Sequence, residues 1–180
     1  MQNLFVSNIV KLNIKLIKGD ITKVAAQAIV NAANRTLLGG GGVDGAIHRT
    51  AGPELLDECK KLNGCDVGSA KITKGYNLES EYVIHTVGPV WKGGNSGESE
   101  LLTSCYVSCF QLAVEHKISS IAFPAISTGV YHYPVDKATE IAIAVLKDWV
   151  NENDAIKQVS FVCFSDQVFD VYKQQLSRLE

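Results

Sequence analysis

The chain alternates short apolar runs with segments of helical spacing, and this alternation restricts its possible folds more than any other feature. Apolar or β-rich runs bounded by turn-forming residues predict strands at 12–17, 28–33, 70–75, 82–87, 120–126 and 159–164. Helical spacing predicts helices at 53–62, at 98–116, after Pro134 and at 168–179. The sequence therefore predicts a layered α/β fold, in which helices cover both faces of a mainly parallel sheet and ligands bind beyond the carboxyl ends of its strands.

The helix after Pro134 has the clearest pattern. Its apolar residues recur at i, i+3, i+4, i+7, i+8 and i+11, namely Ala138, Ile141, Ala142, Val145, Leu146 and Trp149. This spacing forms one apolar stripe and predicts a helix of about four turns. By contrast, residues 91–99 are rich in Gly and Ser without apolar periodicity, which predicts an exposed loop.

Length and composition predict a single globular domain spanning residues 1–180, since 46% of the residues are hydrophobic and 20% are charged. The formal net charge of −2 gives no general attraction for nucleic acid or an anionic membrane, so a nucleic-acid partner would need a local basic patch. With no long apolar segment or secretory leader pattern, we expect a cytoplasmic protein without a membrane partner. The five cysteines lack paired metal-binding spacing, so we predict no metal site and expect Cys105 and Cys109, one helical turn apart, in the core.

Four consecutive glycines, Gly39, Gly40, Gly41 and Gly42, lie between an apolar strand and an apparent helix. Such a run is entropically costly unless the loop must adopt positive φ angles or let a ligand approach its backbone. Its N–H groups, together with the start of the following helix, can bind a phosphate or diphosphate. The spacing matches neither the lysine-containing loop of nucleotide hydrolases nor the GxGxxG dinucleotide pattern. A floppy loop is the structural alternative.

A second loop also follows an apolar strand and precedes a helix; its residues are Ser127, Thr128, Gly129, Val130 and Tyr131. Two glycine-bearing loops at strand ends are placed to contact one ligand from both sides. The alternative is an ordinary connection, with Ser127 or Thr128 as a local turn former.

Two polar side chains near the first loop are candidates for chemistry. The Asp44 carboxylate can orient or deprotonate a water, and the Asn34 amide can fix a ribose hydroxyl. Alternatively, Asp44 caps a helix that opens at Gly45, and Asn34 is a turn residue. We expect His48 to be a packed or exposed helical residue and leave it outside the catalytic set.

Taken together, these motifs resemble the macrodomain family, specifically its MacroD-type branch, from about residue 13 to residue 172. The matching segments are Gly19-Asp20-Ile21-Thr22, Asn31-Ala-Ala-Asn34, 39–48 and 127–134. The resemblance implies a three-layer α/β/α fold with a six-stranded mixed, mostly parallel sheet. It also implies a cleft that holds ADP-ribose, and ester hydrolysis that requires no cofactor.

The resemblance assigns roles to individual residues. Asp20 is expected to accept a hydrogen bond from the adenine amino group, and the backbone of Ile21 to define the adenine pocket. Phe164 corresponds to an aromatic at the adenosine end, although it could equally be a core residue. The diphosphate and the distal ribose are expected between two segments, of which the first is Gly39, Gly40, Gly41, Gly42 and Val43 and the second is Ser127, Thr128, Gly129, Val130 and Tyr131. Asn34 and Asp44 correspond to the catalytic pair.

The substrates implied are O-acetyl-ADP-ribose, which would be deacetylated, and proteins that carry mono-ADP-ribose on acidic side chains. The alternatives are a non-catalytic ADP-ribose reader and a regulatory module that binds RNA or protein. His132 departs from the family, which usually has Gly between the two tyrosines of the second loop. This departure bears on substrate range more than on binding.

Overall fold

The computed structural model describes residues 4–9 and 12–179, and its strands form one mixed sheet. The strands are β1 (Leu4–Ile9), β2 (Leu12–Lys18), β3 (Ala28–Ala32), β4 (Ala70–Lys74), β5 (Tyr82–Thr86), β6 (Ser120–Pro124) and β7 (Gln158–Cys163). Their order in the sheet is β1-β2-β7-β6-β3-β5-β4. The four inner pairings are parallel, whereas β1 and β4 join the edges antiparallel. The predicted mixed, mostly parallel sheet is confirmed.

The predicted number of six strands is wrong, because the sheet has seven strands within residues 4–9 and 12–179. All six runs predicted from the sequence are strands, and the additional one is β1, which pairs antiparallel with β2. This strand was missed because Ser7 and Asn8 interrupt its apolar residues. An edge strand needs no continuous apolar run, since it pairs along one side only.

In the part of the chain that the structure describes, five α-helices cover the sheet: α1 (Gly42–Ala51), α2 (Pro53–Lys61), α3 (Glu98–Glu115), α4 (Val135–Glu152) and α5 (Asp166–Leu176). Short 3₁₀ turns lie at Ile21–Lys23 and Ser177–Leu179. In the described part of the chain, no helix is long and apolar enough to cross a membrane. The predicted apolar stripe on α4 is confirmed, since its residues are buried in the core or packed against it. At 18 residues, α4 is about one turn longer than predicted.

Two hydrophobic clusters lie on opposite faces of the sheet. Helices α3, α4 and α5 cover one face, where the largest buried side chains are Tyr106, Phe110, Phe123, Phe161 and Tyr172. Helices α1 and α2 cover the other, where Ile47 and Leu55 pack on residues such as Ile29 and Val83. The three-layer α/β/α arrangement is therefore confirmed. All five cysteines are buried and free, and Cys105 and Cys109 lie in the first cluster as expected.

The parallel strands determine where a ligand site can form. Because β3, β6 and β7 run parallel, the segments that leave their carboxyl ends meet at one edge of the sheet. The glycine loop leaves β3, the second loop leaves β6, and Phe164 follows β7.

Candidate functional site

A cleft with a cavity volume of about 470 Å³ lies at this edge. The predicted residues that line it are Asn34, Gly40, Gly41, Gly42, Val43, Asp44, Ser127, Thr128, Gly129, Val130, Tyr131 and Phe164. It is also lined by residues that we did not predict, namely Ala32, Ala33, Gly88, Pro124, Ala125, Ser165 and Val168. Most of these are small apolar residues at strand ends, which the sequence pattern marks only as core. The structure thus brings both predicted loops into one cavity.

Three predicted residues are not among those that line the cavity: Asp20, Ile21 and Gly39. Asp20 caps the 3₁₀ turn, where its Oδ1 accepts hydrogen bonds from the backbone N–H of Thr22 at 2.9 Å and from its hydroxyl at 2.8 Å. Ile21 is a core residue. The Gly19 N–H donates to the carbonyl of Cys163, so Asp20 lies beside the end of β7, where Phe164 begins.

The glycine loop depends on the absence of side chains. Gly39 and Gly42 have φ angles of +87° and +57°, which L side chains rarely adopt. A Cβ on Gly40 would lie 3.0 Å from Asp44 Oδ2 and 3.3 Å from Asn34 Nδ2. A Cβ on Gly45 would lie 2.5 Å from the Gly40 carbonyl oxygen, so the loop folds directly over the start of α1. This fixed path contradicts the floppy-loop alternative.

The interpretation of Asp44 as a helix N-cap is wrong. Helix α1 begins at Gly42, Gly41 occupies the N-cap position, and no side chain caps the helix. Asp44 is therefore the third helical residue, and its side chain turns inward. The N–H groups of the first helical turn have no partner within the helix, and the positive end of the helix dipole lies at the cleft. This end of α1 suits an anionic group such as a phosphate.

Asn34 is a turn residue that also lines the cleft. Its Oδ1 accepts hydrogen bonds from the backbone N–H and the hydroxyl of Thr36, at 3.0 and 2.6 Å. Its Nδ2 donates to the Gly39 carbonyl at 2.9 Å. The structural alternative is therefore correct for Asn34 without excluding a functional role, because these bonds hold the amide next to Gly40.

The Asp44 carboxylate accepts a hydrogen bond from a buried asparagine, Asn31, that we did not predict as a site residue. Asn31 Nδ2 donates to Asp44 Oδ1 at 2.7 Å and lies 3.1 Å from His85 Nδ1. Both Asn31 and His85 are 0% exposed. His48 Nε2 lies 3.5 Å from Asp44 Oδ1, so His48 is largely packed, as expected. The available signal was a polar residue inside each of two apolar strands, which costs free energy unless it is hydrogen-bonded.

His85 is held in its neutral form. Burial lowers its pKa from 6.5 to about 3, and the nearby His48 contributes to the shift. On its far side, His85 Nε2 lies 2.8 Å from Thr73 Oγ1. Asp44, Asn31, His85 and Thr73 thus form a continuous buried chain.

The second loop is held by backbone contacts. Ser127 has a φ of +65°, and a Cβ on Gly88 would lie 2.1 Å from its Oγ. The Trp91 N–H donates to the Tyr131 carbonyl at 2.9 Å, and the Trp91 ring lies 4.7 Å from that of Tyr133. The predicted turn-forming role of Ser127 and Thr128 is consistent with these bonds, since the Thr128 N–H and hydroxyl both contact the Ala125 carbonyl.

Residues 91–99 were predicted as one exposed loop, and this is wrong at both ends. Trp91 is half-buried, while Glu98 is buried and begins α3. The Glu98 carboxylate accepts hydrogen bonds from the backbone N–H groups of Lys92, Gly94 and Ser96 at 2.8, 3.1 and 2.6 Å. Burial alone would raise the pKa of Glu98, but these bonds and its own N–H lower it to about 2. The segment is a folded loop closed by one carboxylate.

Phe164 is not a core residue. Its side chain is 88% exposed, and it lines one end of the cleft. Val130, on the second loop, is 85% exposed. The cleft therefore offers an aromatic face on which a planar ring can stack. Among the described residues, no group of three or more His, Cys, Asp or Glu side chains is arranged to hold a metal ion.

The fold and the cleft define an α/β protein with a glycine-lined cleft at the carboxyl edge of its sheet. Residues 30–142 match the family described as Macro domain, and the chain belongs to this family. It is 58% identical over 164 residues to a macro domain-containing protein of Chlorobaculum tepidum, covering 91% of this chain and 95% of that protein. It is 51% identical over 168 residues to O-acetyl-ADP-ribose deacetylase 1 of Pantoea vagans, covering 91% and 98%.

A human relative and a solved structure extend the comparison. The chain is 50% identical over 166 residues to the human ADP-ribose glycohydrolase MACROD2, covering 91% of this chain but only 39% of that protein. The structure of the Oceanobacillus iheyensis macrodomain with ADP superposes with a TM-score of 0.95 at 42% identity, covering 99% of this chain and 97% of that one. The three-layer α/β/α fold with a mixed, mostly parallel sheet, which the resemblance implied, is confirmed.

Proposed function

We propose that this protein binds ADP-ribose in the cleft and hydrolyses ester bonds to its distal ribose. The observation that carries the proposal is the convergence of Asp44 and Asn34 on the backbone of Gly40, at the start of α1. A carboxylate and an amide here adjoin the free N–H groups that suit a diphosphate. The substrates are O-acetyl-ADP-ribose and proteins carrying mono-ADP-ribose on acidic side chains.

The ligand would lie along the cleft with its adenine beside Phe164 and its distal ribose beside Asn34. The exposed Phe164 ring offers a stacking surface. The carboxylate of Asp20 can accept a hydrogen bond from the adenine amino group, because both of its bonds within the chain go to Oδ1. The main-chain N–H donors of the two loops would surround the diphosphate, so its binding requires no cluster of lysines or arginines.

The chemistry is addition of water to an ester. For O-acetyl-ADP-ribose, the water oxygen bonds to the acyl carbon and the bond from that carbon to the ribose oxygen breaks. One water proton goes to the ribose oxygen and the other leaves with acetic acid, so the products are ADP-ribose and acetate. Asp44 would orient the water and take its proton, while Asn34 holds the ribose.

For an ADP-ribosylated glutamate or aspartate, water would attack the anomeric carbon instead, releasing ADP-ribose and the free carboxylate side chain. The names of the Pantoea vagans and human relatives support hydrolysis of ADP-ribose derivatives, and the ADP in the Oceanobacillus iheyensis structure supports a nucleotide in the cleft. No cofactor is invoked in either reaction.

The test compares wild type with Asn34→Ala, Asp44→Ala and the isosteric Asp44→Asn. Acetate release from O-acetyl-ADP-ribose and ADP-ribose release from a glutamate-modified protein are measured, and ADP-ribose binding is measured by calorimetry. We expect wild type to turn over at least one ester, and Asp44→Asn to bind ADP-ribose but lose about 10²-fold or more in turnover. Binding without turnover in wild type would indicate a reader, and absence of binding would refute the proposal.

A further inference from the structure

A chain of buried hydrogen bonds leads from Asp44 across three strands of the sheet. Asn31 on β3 and His85 on β5 are direct partners in the parallel register. Asn31 Nδ2 lies 2.7 Å from Asp44 Oδ1 and 3.1 Å from His85 Nδ1. The chain ends at Thr73 on β4, whose Oγ1 lies 2.8 Å from His85 Nε2. Three neighbouring strands thus each contribute one polar side chain to a single line that ends on Asp44.

The hydrogen-bonding capacity of these groups fixes the tautomer of His85. Asn31 turns its NH₂ group toward Asp44, since its Nδ2 donates to Asp44 Oδ1. The second hydrogen of that NH₂ group points to His85 Nδ1, which must therefore be unprotonated. A neutral imidazole has one proton, which lies on Nε2 and is donated to the hydroxyl of Thr73.

A charged His85 does not fit this arrangement, because an imidazolium would direct an N–H at the N–H of Asn31. The lowered pKa of His85, with burial as its main cause, agrees with this geometry. The third neighbour of the ring, Cys59, lies with its Sγ 3.8 Å from Nε2 and does not compete with the shorter bond to Thr73. The imidazole therefore acts as a fixed, neutral acceptor behind the amide.

Burial of these polar side chains under α1 and α2 costs free energy that apolar side chains would not cost. Their neighbours on the same face, including Ile29 and Val83, are fully packed apolar residues. Asn31 Oδ1 is buried and has no hydrogen-bond partner among the described residues, which adds a desolvation cost. Packing alone is served better by apolar side chains of similar volume.

We infer that Asn31 and His85 are positioning residues, which hold the Asp44 carboxylate in the orientation required for hydrolysis. The inference rests on the proposed function. Neither residue is among those that line the cavity, so both act through Asp44 and not on the ligand. Asn31 supplies the bond to the carboxylate, and His85 fixes the direction of the Asn31 amide.

The test uses Asn31→Ala, His85→Leu and His85→Gln, with Ser160→Ala as the matched control. Ser160 is a fully buried polar residue on β7, and its Oγ has no partner in the described part of the chain. We expect Asn31→Ala to lower kcat at least about tenfold while KM and the Kd for ADP-ribose stay within about threefold, since a misplaced catalytic group costs rate more than binding. His85→Leu should lower kcat less, and His85→Gln should recover much of the loss because its amide offers one acceptor and one donor.

A purely structural role would give a different result: Asn31→Ala and both His85 variants would lose stability, and their kcat would follow only the folded fraction. Ser160→Ala should keep the stability and the kcat of wild type, because the hydroxyl that it removes has no partner among the described residues. Thermal unfolding of each variant separates these cases. A fall in binding that matches the fall in kcat would also overturn the inference.

Two further measurements do not depend on turnover. Histidine ¹⁵N NMR of wild type should find His85 neutral between pH 5 and 8 with its proton on Nε2, and a proton on Nδ1 would overturn the inference. Crystals of Asn31→Ala should show the Asp44 carboxylate rotated from its wild-type position, and an unmoved carboxylate would also overturn it. If wild type hydrolyses neither ester, the proposed function fails, while these two measurements still decide whether the chain of bonds orients Asp44.

Discussion

Gly88, in the segment after β5, lies against the side chain of Ser127 on the second loop of the cleft, and the coupling of these two residues can be measured. A Cβ on Gly88 would lie 2.1 Å from Ser127 Oγ and 2.8 Å from Ile126 Cγ2, where 3.4 Å or more is ordinary. Replacement of Gly88 by alanine must therefore push Ser127 away by more than about 1 Å. Because both residues line the cleft, this displacement should also disturb the loop that follows Ser127.

The magnitudes follow from the two contacts. Overpacking of this kind costs about 1–3 kcal/mol, and we place Gly88→Ala at the upper end because two separate contacts would be shorter than 3.0 Å. Ser127→Gly alone should stabilise the fold by about 1 kcal/mol. It removes a left-handed φ of +65° and a buried hydroxyl that has no partner among the described residues, and together these outweigh the entropy cost of glycine. With Ser127→Gly present, Gly88→Ala meets only the Cγ2 methyl of Ile126 at 2.8 Å and should cost about 1 kcal/mol.

The assay is urea unfolding at 25 °C of wild type, both single variants and the double variant, with calorimetric ADP-ribose binding in parallel. We expect a coupling free energy of about 1–2 kcal/mol between the two sites. Gly129→Ala is the control, because its Cβ meets nothing within 4 Å and its φ lies outside the left-handed region; its unfolding free energy should stay within about 0.5 kcal/mol of wild type. Additive effects at Gly88 and Ser127 would refute the reasoning.

Three other predictions test separate parts of the structure. Phe164→Ala should leave the unfolding temperature unchanged, because the ring is 88% exposed. It should weaken ADP-ribose binding about 10-fold or more, because the stacking contact is lost. Equal affinities of the variant and wild type by calorimetry would contradict the proposed position of the adenine. The pKa of Glu98 is about 2 in the folded protein and 4.5 ordinarily, so its contribution to stability is present above about pH 5 and lost as the pH falls toward 2. Unfolding followed between pH 5 and 2 should therefore be less pH-dependent in Glu98→Gln than in wild type, and parallel curves would count against this. His132 has a φ of +56°, so His132→Gly should raise the unfolding free energy by about 0.5–1 kcal/mol in urea titrations; a decrease would show that the imidazole makes a stabilising contact.

Local sequence patterns predicted most of the elements of the fold. The period of two in 12–17 and the stripe on α4 each depend on neighbouring residues of the chain, and both elements formed as predicted. The missing strand β1 depends on its pairing with β2 along one edge, which the interrupted apolar residues of Leu4–Ile9 do not reveal. The N-cap alternative for Asp44, which the structure contradicts, also came from local reasoning, since an aspartate before a helix usually caps it.

The sequence by itself determined the layered α/β fold, the two glycine-bearing loops and the candidate pair Asn34 and Asp44, because periodicity, turn chemistry and strand-end position are properties of short segments. Only the tertiary structure decided what lies behind and around that pair. Asn31 and His85 are 54 positions apart in sequence and meet through the register of two parallel strands. Likewise, the exposure of Phe164 and the close approach of Gly88 to Ser127 depend on how separate strands and loops pack. Contacts of this kind join residues that are distant in sequence but close in space, and no local pattern encodes them.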